Sequence, residues 1–207
     1  DIDYFIVGDM DSALFNYETA IRFKQDTPSL HYRVGAINYG KQDYTAALAA
    51  FIKTAEAAPS DPNLLLALGN TLSLRGDNYA AEGYYADLIT RLNNERARSG
   101  MLFPHESSDD NKLVDLYVKA NNNLGVTLYR LAQQTGDSSK NAEAVVRLSD
   151  SMRAWDALTR NPQTMLRLPG SNLAAQNSKY ITHVTSDYEP AIYTDIARVL
   201  SGDQELK

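Results

Sequence analysis

The feature that most constrains this chain is a self-similarity at an offset of 34 residues. Pro28 and Pro62 are related by that offset, as are Gly35 and Gly69, Asp43 and Asp77, Ala47 and Ala81, and Phe51 and Tyr85. The register runs backwards too, with Ala13 matching Ala47, Tyr17 matching Phe51, and Gly8-Asp9 matching Gly76-Asp77 across two periods. A period of this size marks a supersecondary unit that cannot bury its apolar face alone, so neighbouring units must stack.

Each period reads as two helices. Pro28 to Tyr39 contains no breaker, and Gly40-Lys41-Gln42-Asp43 makes a turn. Tyr44 to Ala58 then carries Ala47, Leu48, Phe51 and Ala55 at helical spacing, and Pro59 ends it by removing a donor and restricting its predecessor. The next period repeats the plan, with a helix from Asn63 to Leu74, a turn at Arg75-Gly76-Asp77 and a helix from Tyr79 to about Glu95. Two antiparallel helices approach closely only over small side chains. Gly35 and Gly69 supply them on the first helices and Ala47 and Ala81 on the second, while Phe51 and Tyr85 are expected to fill the gap toward the following pair.

These positions resemble the tetratricopeptide repeat (TPR), a helix–turn–helix unit of the same period. Leu65, Leu68, Gly69, Leu72, Ala81 and Tyr85 match its signature in one repeat, and Val34, Gly35, Ala47, Phe51 and Pro59 in the other. His31, Asn38 and Thr54 depart from it. The opening residues supply Tyr4, Ala13, Tyr17 and Ala20, so residue 1 is expected within a first helix and the sequence is expected to be a fragment of a longer chain. The resemblance covers residues 1–95 and implies an all-α, right-handed superhelical stack of antiparallel helix hairpins.

Past residue 98 the pattern loosens. Residues 99–108 read as an inserted loop, and 109–162 as an elongated, divergent repeat. That repeat has helices over 109–134 and 141–160, with Leu124, Gly125 and Leu128 in register. The organisation expected is thus a solenoid over 1–162, made of a partial repeat 1–27, repeats 28–61 and 62–98, the loop and the divergent repeat. A non-repeat helical cap over 163–207 follows, with one helix from Asn172 to Val184 and a last one from Pro190 to about Leu200. The stretch Leu168 to Asn177 has a weaker resemblance to C-terminal parts of spirochaete periplasmic flagellar-collar proteins that carry such repeats. That resemblance implies a bacterial periplasm or cell envelope.

Catalytic chemistry finds little purchase. The chain has no cysteine, which excludes disulfides, thiolate nucleophiles and Cys-ligated metals. His31, His105 and His183 are not paired at metal-ligand spacing, and His105-Glu106 with Asp109-Asp110 is read as a solvated loop. No nucleophile elbow, P-loop or dinucleotide fingerprint occurs. The expectation is no enzyme, no cofactor and no metal. A net charge of -6 argues against nucleic acid, and no apolar run reaches the length of a membrane span.

The resemblance implies instead a protein or peptide partner held in a concave groove lined by first helices. Carried over onto this sequence, the groove residues are Tyr32 and Tyr39, then Asn63, Leu66, Asn70 and Ser73, then Lys119, Asn122, Tyr129 and Arg130. Only Lys119 and Arg130 could clamp a terminal carboxylate, so the groove is aromatic and amide-rich. The alternative is a structural subunit of a cell-envelope or flagellar assembly, using the convex face, the 99–108 loop and the cap. Self-association would then be a partner class.

Overall fold

A computed structural model of the chain describes residues 7–23, 26–99, 108–159, 172–183 and 188–203. Among these residues the structure is all-α: α1 Val7–Arg22, α2 Pro28–Gly40, α3 Tyr44–Ala55, α4 Pro62–Leu74, α5 Asn78–Ser99, α6 Ser108–Thr135, α7 Ser138–Thr159 and α8 Leu173–His183. Sequential helices pack as adjacent pairs, among them α2 with α3, α5 with α6, α6 with α7 and α7 with α8. Most of the expected inserted loop, residues 1–6, and residues 160–171 at the start of the expected cap lie outside the described residues.

Helix boundaries follow local chemistry. Thr27, Asp43 and Asp61 are N-caps whose side-chain oxygens accept from Leu30 N, from Ala46 N, and from Asn63 N and Leu64 N. Pro28 and Pro62 stand in the first turns of α2 and α4, where a missing N–H costs nothing. Helix α2 ends in a left-handed residue, Gln42 at φ 62°, and the same position one period later is Gly76 at φ 86°. At Gln42 the closing bonds run from Gln42 N to Tyr39 O (2.9 Å) and from Asp43 N to Asn38 O (2.9 Å), the Schellman arrangement.

Two compact units divide the chain: Asp1–Arg75 with Ile196–Lys207, and Gly76–Asp195. In the first, α2 and α3 close over Gly35. A Cβ there would stand 2.5 Å from Phe51 Cε1, and Phe51 packs on Tyr32 with ring centroids 5.4 Å apart. In the second, Gly125 of α6 plays the same part toward Leu148 of α7, whose Cγ would lie 2.8 Å from an added Cβ. Leu148 anchors a cluster with Ala174 and Ile181 of α8, joined by Tyr129, Val145, Met152 and Tyr180. Ser151 also donates across the helix pair to Val118 O at 2.8 Å.

The last expected helix is not there. Residues 188–197 have no regular secondary structure, and a bend and a turn follow over 198–202, so among the described residues of the cap α8 alone is helical. The cause is long-range: main-chain groups of this segment bond to side chains of α2, α4, α6 and α8 instead of to one another.

Candidate functional site

Within the second unit, the segment 188–195 lies along α6 and α8, and four side chains hold its main chain. Asn123 Nδ2 donates to Tyr193 O (2.9 Å) while Tyr193 N donates to Asn123 Oδ1 (2.8 Å). Asn177 of α8 repeats the device two residues earlier, donating to Ala191 O (2.8 Å) and accepting from Ala191 N (3.0 Å). Asn122 adds a bond to Ala191 O (3.2 Å) and accepts one from Asn177 Nδ2 (2.8 Å). Arg130 Nη2 reaches Pro190 O at 3.3 Å. A primary amide presents one donor and one acceptor side by side, so it can satisfy both main-chain groups of one extended residue.

The register is set by two rises. Lys119, Asn123 and Arg130 meet Asp195, Tyr193 and Pro190 in turn, so the segment runs antiparallel to α6. From Lys119 to Arg130 a helix climbs about 16 Å at ~1.5 Å per residue. From Asp195 back to Pro190 an extended chain covers about 16 Å at ~3.3 Å per residue. The two ladders stay in step over the whole length.

Side chains of the segment are fixed as well. Tyr193 is 4% exposed, and its hydroxyl accepts from Leu173 N (3.0 Å) at the start of α8. Burial pushes its phenol up to about 12; the Leu173 N–H works against this, and Asp115, Asp195 and Tyr188 add to it. Tyr188 donates to Asn177 Oδ1 (2.7 Å) and meets the Tyr180 ring edge-on, and Tyr180 meets Tyr129 in the same way. Lys119 ion-pairs with Asp115 one turn away (2.6 Å) and with Asp195 of the segment. Burial alone would lower the Lys119 ammonium, but the two carboxylates outweigh it and the net shift is upward. Burial raises Asp115, and Lys119 draws it back only in part.

The first unit treats residues 196–203 in a similar way. Tyr32 Oη donates to Ala197 O (2.9 Å) and Asn63 Nδ2 to Val199 O (3.1 Å), again carbonyls two residues apart. Asp61, already the N-cap of α4, accepts from Ser201 N (2.8 Å) and Ser201 Oγ (3.3 Å). Val199 and Leu200 are buried. Tyr32 is wholly buried, and its hydroxyl is held far above the usual phenol range by that burial, with Asp61 adding to it.

Of the residues expected to line a groove, Tyr32 and Asn63 meet the C-terminal segment in the first unit, and Lys119, Asn122 and Arg130 do so in the second. Tyr129 reaches it through Tyr180. Tyr39 packs edge-on against Tyr44 within the α2–α3 pair. Leu66, Asn70 and Ser73 are buried in α4. Sequence reasoning missed Asn123 and Asn177, which make the paired amide contacts, and the segment they grip. For Asn123 a signal existed: three consecutive asparagines, 121–123, sit on a helix that is otherwise apolar around them. For Asn177 none did.

Among the described residues no group of three or more His, Cys, Asp or Glu side chains could hold a metal ion, and no helix is long and apolar enough to cross a membrane. His31 pairs with exposed Asp26 (2.6 Å), and His183 with Thr182 (2.6 Å). The chain matches no protein-family model and no curated protein.

Proposed function

We propose that this chain is a non-enzymatic interaction scaffold, built of tetratricopeptide-like helix hairpins, that binds an extended polypeptide along the faces of its first helices. The observation that carries this reading is the pair of reciprocal amide contacts, Asn123 with Tyr193 and Asn177 with Ala191. They recognise main chain, which every peptide has, and leave selection among peptides to neighbouring side chains. The 34-residue register, with Gly35 under Phe51, and Gly125 under Leu148 in the longer hairpin, supports the repeat assignment. A peptide-display selection on the full chain tests the reading. Binders are expected whose affinity falls at least tenfold on Asn123→Ala. A selection yielding no binder, or only binders indifferent to that substitution, counts against it.

A further inference from the structure

We infer that the segment Tyr188–Asp195 is an internal stand-in for the partner, and that the second unit takes in trans an extended acidic peptide of the same pattern, which displaces it. The inference rests on the scaffold reading above and adds the chemistry of the ligand. The pattern is an aromatic residue, a small residue three positions on, an aromatic two further, and a carboxylate two beyond that: Tyr188, Ala191, Tyr193 and Asp195.

Each element answers to something fixed in the helices. Asn177 closes on both main-chain groups of Ala191 while Asn122 shares its carbonyl, which favours a small side chain between them. Tyr193 is seated by its own N–H and C=O and by its hydroxyl on Leu173 N. Asp195 meets Lys119, whose ammonium also pairs with Asp115 on the same helix. Tyr188 reaches Tyr180 and Asn177.

Displacement rather than simple filling follows from burial. Asn122, Asn123 and Asn177 have no exposed surface with the segment in place. An emptied site would exchange these main-chain bonds for bonds to water, at about 0.5–1.5 kcal/mol for each bond lost. A second extended chain offering the same main-chain groups restores every one of them, and sequence decides which occupant wins. The exposed side chains of Glu189, Thr194 and Asp195 give an incoming peptide a point of entry at either end of the stretch.

The test uses a fluorescein-labelled peptide of residues 188–195 and the full chain, read by fluorescence anisotropy. A segment tethered in the same molecule competes at an effective concentration of roughly millimolar, so the wild-type chain is expected to bind the peptide weakly. The full chain carrying Tyr193→Ala with Asp195→Ala, which weakens the internal occupant and changes no residue of the helices, is expected to bind it at least tenfold more tightly. Adding Asn123→Ala to that variant should reverse the gain, and a scrambled peptide should not bind. Asp195→Ala alone, at a half-exposed side chain, is measured in parallel, so a double variant that fails to fold still leaves a deciding comparison. Weakened-segment chains that keep their helical circular dichroism yet ignore the peptide overturn the inference. If such chains still bind an unrelated selected peptide through Asn123, the scaffold reading stands without it; if they bind neither, both fall.

Discussion

Asn123 and Tyr193, 70 residues apart in sequence, exchange two hydrogen bonds between one side-chain amide and one residue's main chain. Asn123→Ala removes both and strands a buried N–H and C=O. Unfolding in urea is expected to show a loss of about 2–3 kcal/mol. Asn123→Asp keeps the acceptor, loses the donor and sets a charge against Tyr193 O, so its loss should be at least as large. Asn121 is the internal control. Among the described residues it bonds only its own helix at Tyr117 O, and its Oδ1 is buried with no partner there, so Asn121→Ala should cost less than about 1 kcal/mol. Equal losses at 121 and 123 would deny the paired contact its role.

Close approach at two glycines sets a second expectation. Gly35→Ala places a methyl 2.5 Å from the Phe51 ring, and Gly125→Ala places one 2.8 Å from Leu148 Cγ and 3.2 Å from the carbonyl oxygen of Ala144. Each should destabilise by about 1–3 kcal/mol. In the Gly35→Ala background, Phe51→Leu should restore part of the loss, whereas no side-chain change relieves the backbone contact at Gly125. Gly83 is exposed in α5 with nothing within 4 Å of an added Cβ, so Gly83→Ala should stabilise by about 0.5–1 kcal/mol. Thermal melts of the three variants give the comparison.

A third concerns Gln42, which holds the left-handed position that Gly76 holds one period later. A left-handed residue with a Cβ is strained by about 1–2 kcal/mol, and part of that is offset because glycine loses more chain entropy on folding. Gln42→Gly should therefore stabilise by about 0.5–1 kcal/mol, and Gly76→Gln should destabilise by a similar amount. Chemical denaturation midpoints with an unchanged slope are the measurement; a Gln42→Gly chain no more stable than wild type contradicts the account.

How much of this was legible beforehand depends on the range of the interaction. The repeat register marks both Gly35 and Phe51, but it sets Phe51 toward the following pair, whereas the ring packs over Gly35 within one hairpin. The third hairpin hid its partner. Helices α6 and α7 run 28 and 22 residues against 13 and 12 for α2 and α3, so Leu148 stands opposite Gly125 at a spacing the shorter repeats do not teach. Residues 190–200 carry Ile192, Ile196, Val199 and Leu200 at helical intervals, yet the expected last helix does not form there. β-branched Ile192, Thr194, Ile196 and Val199 weaken that helix, and amides 14 and 70 residues away supply the main chain with other partners. No local window contains those amides.

The Tyr193 phenol gives an alkaline signature. Its folded value of about 12 lies above the ordinary 10.0, so the stability it contributes is complete below pH 10.0 and is lost as pH rises through about 12. Tyr193→Phe keeps the ring buried and removes the ionisable group with its bond from Leu173 N. Wild type should lose stability steeply across that window, and Tyr193→Phe less steeply, in urea midpoints measured from pH 9 to 12. Nuclear magnetic resonance of the tyrosine Cζ should show residue 193 titrating about two units above an exposed tyrosine. Parallel pH curves for the two chains refute the assignment.

Lys119 supplies the opposite end of the pH scale. Its ammonium, on a residue only 8% exposed, neutralises Asp115, whose carboxyl burial raises and Lys119 lowers. Removing the cation in Lys119→Met takes away the lowering cause, so the Asp115 value climbs further. A carboxyl raised in the folded state contributes stability that is full below its ordinary 3.8 and is lost as pH rises through the folded value. The deficit of Lys119→Met relative to wild type should therefore be small near pH 4 and grow to about 2–3 kcal/mol by pH 7, less than for a fully buried pair because Asp115 keeps some exposure. Asp195→Asn leaves the Lys119–Asp115 pair in place and removes a carboxylate whose side chain is 56% exposed, so it should cost less than about 1 kcal/mol at pH 7. Double substitution of Lys119→Met with Asp115→Leu removes the stranded charge and should flatten the pH dependence. A Lys119→Met deficit that stays constant from pH 4 to pH 7 shows that the lysine acts through its packing alone.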